Sequence, residues 1–186
     1  EDVQKMITDV TSSVIPENIA SLIESIDTNE LNENEQKGLK ALSEWNGEYV
    51  KEKIAPTIYN RFLYEFLKNT FQDEMGDSFD GFLSTHLMKK VIAVQSKRQE
   101  SVWWDNVDTE QVETKEEIVQ LSYKNAIAFL EHQLGNEVSD WSWYNVASVE
   151  HGHALAAGGT LMKSLFNVGP FHMDGGNEVI NNHLFH

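Results

Sequence analysis

Apolar residues recur along the first part of the chain at the three- and four-residue spacing of a helix face. Val3, Met6, Ile7 and Val10 begin the series, and Pro16 marks a restart at a first-turn position. Ile19, Leu22, Ile23 and Ile26 continue it. Asn32 with Glu35 three residues on has the form of a capping box, with Asn in place of the usual Ser or Thr. Leu39, Leu42 and Trp45 follow on one face, and Gly47 suits a stop. The clearest helix is predicted over Pro56 to Met75, with Ile58, Phe62, Leu63, Phe66, Leu67 and Phe71 in a broad apolar stripe and Gly76 as its cap. So wide a stripe predicts packing against more than one neighbour. Phe79 to Val94 is helix-like, with Gly81 weakening its start. Thr114 and Glu117 open another helix through a capping box; it carries Ile118, Leu121, Ile127 and Leu130 and ends at Gly135.

The pattern changes after Asp140. Glycine and aromatic residues rise, and β-branched residues gather in short runs. Trp141-Ser142-Trp143 and Val146 to His151 read as extended, and Glu178-Val179-Ile180 as a short strand. Gly158-Gly159 and Gly175-Gly176 read as turns. The fold class expected is mainly α with a short β-containing C-terminal third. Residues 1–140 form a helical subdomain and 141–186 a mixed, partly extended segment, together one structural unit.

Composition narrows the function classes. The 186 residues are 40% hydrophobic, too many for a disordered tail and enough for one domain with a real core. A net charge of −16 argues against nucleic acid or an anionic membrane as partner, since both would repel it. No cysteine is present, which removes disulfides, thiolate metal sites and a cysteine nucleophile. No apolar run approaches the roughly 20 residues of a membrane helix. The opening Glu1-Asp2-Val3-Gln4 is no signal peptide and does not start with Met, so the chain reads as processed or cut from something longer.

Candidate chemistry is sparse. His151 and His153 would share one face of a strand and could hold a transition metal if His172, His183, His186 or Asp174 joined them. The plainer reading is one hydrogen-bonded histidine and one exposed, since no HExxH or cysteine pair supports a site. Asp105 and Asp108 beside Trp103 and Trp104 could suggest carboxylates in an aromatic cleft. The plainer reading is a solvated loop whose tryptophans pack on the body. Neither Gly158-Gly159-Thr160 nor the stretch from Gly81 to Ser84 forms a nucleophile elbow, and Gly175-Gly176-Asn177 suits a tight turn. From the residues alone no self-contained active site emerges. The chain is then a binding or structural domain, or a portion of an enzyme whose chemistry lies elsewhere.

Three stretches carry a resemblance. "LSEWNG" from Leu42 to Gly47, followed by "APTIYNRFLYEFLKNTFQDEMG" from Ala55 to Gly76, is similar to the "W-D-G … A-A-T-I-F … L … F … D-E-L-G" stretch of the penicillin acylase family. "VASVEHGHAL" from Val146 to Leu155 resembles the family's "V-x-x-x-H-P-L", with Ala154 in place of the proline. "LFNVGPFHMDGGNEVINN" from Leu165 to Asn182 resembles "F-N-x-G-P-F-P-x-G-G-x-x-x-T-V-N", with Met173-Asp174 where small residues often sit. Their order and spacing agree with the family.

The resemblance implies an N-terminal-nucleophile hydrolase of the αββα fold, in which a precursor cuts itself into two chains. The new N-terminal serine of the β-chain attacks linear amides such as penicillins or acyl-homoserine lactones, its own α-amine serving as base. Here position 1 is Glu, which cannot take that role. The family's oxyanion-hole residues and calcium ligands match positions upstream of this stretch, so the resemblance carries no catalytic, cofactor or metal residue onto it. It implies a piece of the β-chain, a helical subdomain plus a segment returning toward the sheets, trimmed at both ends and inactive alone. Its partners would be the α-chain and the rest of the β-chain, with self-association of the piece a corollary, and its compartment the periplasm. The reading from a different class is a free-standing helical binding protein, metal-binding through His151 and His153.

Overall fold

A computed structural model describes residues 2–152, Thr160 and 167–181. Among the described residues these elements follow one another: α1 (Asp2–Ile7), α2 (Ile15–Ile23), α3 (Glu33–Ser43), α4 (Ala55–Met75), α5 (Phe79–Leu83), α6 (Leu87–Gln95), α7 (Lys115–Leu134), α8 (Trp143–Val146), β1 (Ser148–His151) and β2 (Val168–His172), with short 3-10 turns between several of them. The described residues are thus mainly helical, with one small antiparallel sheet near the C-terminus.

The two capping boxes form as expected. Asn32 Oδ1 accepts from Glu35 N at 2.9 Å while Glu35 returns a carboxylate oxygen to Asn32 N at 2.7 Å. Thr114 and Glu117 repeat the exchange at 3.3 and 2.8 Å. Each box contributes about 1 kcal/mol by pairing backbone N–H groups that the first turn leaves open.

Helices α4 and α7 are the long axis of the core. Phe62 meets Tyr123 edge to face across their seam, ring centroids 5.4 Å apart. Asn69 donates to Ser122 Oγ at 3.0 Å, and that hydroxyl donates to Ile118 O at 2.6 Å. Helix α3 closes on the pair through Gly38, where a Cβ would stand 2.8 Å from the Tyr123 hydroxyl and 3.0 Å from Ile127 Cδ1. That approach lets Tyr123 donate to Glu35 O at 2.6 Å. Ile58, Phe62, Phe66 and Leu67 are fully or almost fully buried, each worth roughly 1.5–3 kcal/mol of burial. α4 also touches α3, α5 and α8, which explains its wide apolar stripe.

A second cluster joins the N-terminal and C-terminal segments. Tyr49 and Tyr59 both meet Trp45, and Tyr49 also meets Trp143, all at 5.3 Å between centroids. Gly47, at φ +83°, lets the strand-like bridge between Thr11 and Glu48 form; a side chain there would strike Ser12 O. Residues 174–181 pack across this cluster. Gly175 N donates to Tyr49 O at 2.8 Å, Lys51 N to Asp174 Oδ1 at 2.8 Å, Trp143 Nε1 to Gly175 O at 2.9 Å, and Asn181 N to Asp9 O at 2.9 Å.

Several expectations need correction. Trp141-Ser142-Trp143 is not extended: a 3-10 turn covers Val138–Trp141 and α8 begins at Trp143. Tertiary anchors override β propensity here, because the Trp141 indole donates to Gly135 O at 2.8 Å and Trp143 N to Lys53 O at 2.8 Å. Only Ser148–His151 of the expected Val146–His151 strand is one. Glu178-Val179-Ile180 is a turn and bend rather than a strand, and Val179 inserts into the core. The stretch from Phe79 to Val94 is two helices. The hydroxyls of Ser84 and Thr85 donate to Asp80 O and Phe82 O at 3.1 and 2.7 Å, competing with the backbone and ending α5. Gly47 does not cap α3, which ends at Ser43. The apolar residues of α1, and Leu121 of α7, are exposed. Among the described residues, no helix is long and apolar enough to cross a membrane.

Candidate functional site

A groove of about 500 Å³ lies between α4 on one side and α5–α6 on the other. α4 supplies Tyr59, Leu63 and Leu67 to its wall, and α6 supplies Met88, Lys89 and Ile92. Asn177 and Glu178 of the pinned C-terminal segment complete its lining. The break between α5 and α6 shapes its rim, where Ser84, Thr85 and His86 stand.

Glu178 gives the groove its charge. Its side chain is 19% exposed, and Lys89 Nζ stands 4.0 Å from the carboxylate while donating to Asn177 O at 2.7 Å. Burial holds the carboxyl above its ordinary pKa, and Lys89 offsets that only in part. The phenols of Tyr49 and Tyr59 are pushed up by burial first and by the Glu178 charge second. For Tyr49, Asn60 opposes the shift with a hydrogen bond at 3.3 Å. The Tyr59 hydroxyl is enclosed without a well-formed hydrogen bond to any described residue. Held protonated, the tyrosines are poor bases at neutral pH.

The residues singled out from sequence are scattered. His151 is exposed on β1, and His172 lies at the other end of the ladder, opposite Ser148. His172 stacks on Tyr144, centroids 4.1 Å apart. Asp174 uses one oxygen on Lys51 N. His153, His183, His186 and the Gly158-Gly159 pair lie outside the described residues. Among those described, no group of three or more metal-ligating side chains is placed to hold an ion. Trp103 packs on Phe71 at 5.1 Å and Trp104 on Phe66 at 6.0 Å, so this aromatic pair belongs to the α4 surface rather than a cleft. The groove itself escaped sequence reading. Its two walls share helical periodicity, but nothing in the linear pattern brings Glu178 to Lys89.

An acidic group near Asp105 carries a pH dependence. Partial shielding of the carboxyl on an otherwise exposed residue first, then the Asp73 hydrogen bond and charge, and the Asp105 charge, push Glu74 up to about 7. A carboxyl raised on folding adds stability below its unfolded pKa of about 4.3, and that stability is lost as pH rises through the folded value. Glu74→Gln stays neutral throughout. Thermal melts should therefore show the variant level with the parent at pH 4 and more stable by about 1–3 °C at pH 8, a modest shift because Glu74 is exposed. An identical difference at both pH values would refute the assignment.

Comparison with known proteins supplies what the groove does not. The penicillin amidase family matches residues 1–186. Acyl-homoserine lactone acylase QuiP of Pseudomonas aeruginosa is 27% identical over 115 residues, covering 59% of this chain and 14% of that protein. The protein of the same name in Pseudomonas fluorescens is 29% identical over 126 residues, covering 58% and 15%. The matched stretch is thus about one seventh of the length of these relatives. With every residue inside the family match and two acylases aligned along more than half of it, the chain belongs to the penicillin amidase family.

Proposed function

We propose that this chain is the helical part of an acylase-type hydrolase that cleaves linear amides, N-acyl compounds such as penicillins or acyl-homoserine lactones. The family match along the whole chain carries the reading, and the match to only about one seventh of each relative's length supports its being one portion of a larger enzyme. In this reading residues 1–140 form a wall beside the cleft, and 141–186 run back toward the sheets of an N-terminal-nucleophile fold. The attacking serine, its α-amine base, the oxyanion hole and any calcium site belong to other parts of that enzyme. The hydroxyls nearest the groove fit a scaffold role, since Ser84 and Thr85 are bonded to backbone carbonyls. Family membership makes the periplasm the expected compartment. Metal binding through His151 and His153 has weaker support, because His151 is exposed and no described ligand joins it.

The test is an assay of the purified 186-residue chain with a chromogenic phenylacetyl amide and with N-octanoyl homoserine lactone. No turnover above background is expected from the chain alone, and turnover from the longer enzyme that carries it. Hydrolysis by the chain that persists through repurification would overturn the scaffold assignment. Inactivity of the longer enzyme toward every N-acyl compound tried would overturn the acylase reading itself.

A further inference from the structure

The groove between α4 and α5–α6 has a property that a scaffold does not require. Its lining includes the Glu178 carboxylate, largely but not wholly sheltered from water and without a side-chain hydrogen bond among the described residues. Its nearest described cation, Lys89 Nζ, is at the 4.0 Å limit of an ion pair and directs its short bond to Asn177 O. A carboxylate that has lost much of its hydration and gained no donor is under-satisfied, and a charged N–H group satisfies it best. The elevated pKa of Glu178 agrees with that shortage. Leu63 and Leu67 on α4 and Met88 and Ile92 on α6 give the walls hydrocarbon, with Asn60, Ser84, Thr85 and His86 as further polar groups of the lining. The volume lies in the range of small-molecule sites.

We propose that this groove binds small amphiphilic amines, with the ammonium on Glu178 and the apolar tail along Leu63, Leu67 and Ile92. Fatty carboxylates are disfavoured at this position, because they would set a second negative charge beside Glu178 while the lining cation Lys89 directs its short bond to Asn177 O. The site stands apart from the acylase reading, because it needs only residues of this chain.

Calorimetric titration of the full chain with octylamine, octanoate and 1-octanol, all below micellar concentration, tests it. Octylamine should bind about tenfold or more tighter than the other two, as a charge-assisted hydrogen bond implies. Glu178→Gln should abolish that preference while leaving octanol binding unchanged. Lys89→Met, by removing the competing cation, should tighten octylamine severalfold. Equal binding of the three probes, no binding of octylamine, or an amine preference that survives Glu178→Gln would overturn the proposal. If Glu178→Gln does not fold, Lys89→Met decides: unchanged or weaker octylamine binding defeats the assignment.

Discussion

Phe62→Ala is expected to lower stability by about 3–5 kcal/mol, or roughly 10 °C in melting temperature. Phe62 has 0% exposure and sits on the α4–α7 seam, where its ring meets Tyr123 edge to face. Truncation removes that aromatic contact and leaves a cavity between two long helices. Neither helix can move in to fill it: α4 is held by α3, α5 and α8, and α7 by the Tyr123 bond to Glu35 O. Phe62→Leu keeps most of the volume and should cost far less, under about 2 kcal/mol. Urea unfolding of the three proteins gives the comparison. A loss below 1 kcal/mol for the alanine variant would show that the seam is loosely packed.

Arg61→Leu should cost about 3–5 kcal/mol for a different reason. The Arg61 guanidinium pairs with Glu65 one turn along α4, and the two side chains are 23% and 5% exposed. It also lies over the Phe129 ring, 3.3 Å from its centroid, and 4.7 Å from that of Tyr64. Removing the cation leaves Glu65 charged, buried and unpaired. The double change Arg61→Leu with Glu65→Leu removes both charges, and an isosteric apolar pair in such a place is often neutral or better. A double-mutant cycle should therefore return most of the loss, with a coupling of several kcal/mol. Additive effects in the cycle would mean that water reaches Glu65 and the pair contributes as a surface bridge does.

The helical half of this fold was legible because its signals are local. A capping box needs only residues 32 and 35, or 114 and 117, and both formed. The stripe from Ile58 to Phe71 forecast a helix with several neighbours, and α4 has them. The tryptophans misled, because Trp141 and Trp143 sit in helical turns dictated by distant acceptors, Gly135 O and Lys53 O. Periodicity marked Val3, Met6, Ile7 and Leu121 as apolar faces without saying whether anything in this chain covers them. Nor could it reveal Arg61 as the partner of a buried carboxylate, since the same i, i+4 spacing serves exposed pairs such as Glu33 and Lys37. The groove depends on contacts between residues near 60, 90 and 178, and its chemistry exists only once they meet. Family motifs did more than periodicity here: the stretches between Leu42 and Asn182 pointed to the family that the match along the whole chain shows.

The stitch between residues 174–181 and the segments around Asp9 and Tyr49 sets an order of events during synthesis. A ribosome adding about 5–20 residues per second delivers Gly175 and Asn181 many seconds after Tyr49. Throughout that interval the bonds to Tyr49 O, Lys51 N and Asp9 O have no partner, and Trp45 and Tyr49 lack their outer cover. The nascent helices therefore wait with an open aromatic seam, sealed only when translation has passed Asn181, and that is the stage at which a chaperone would find something to hold.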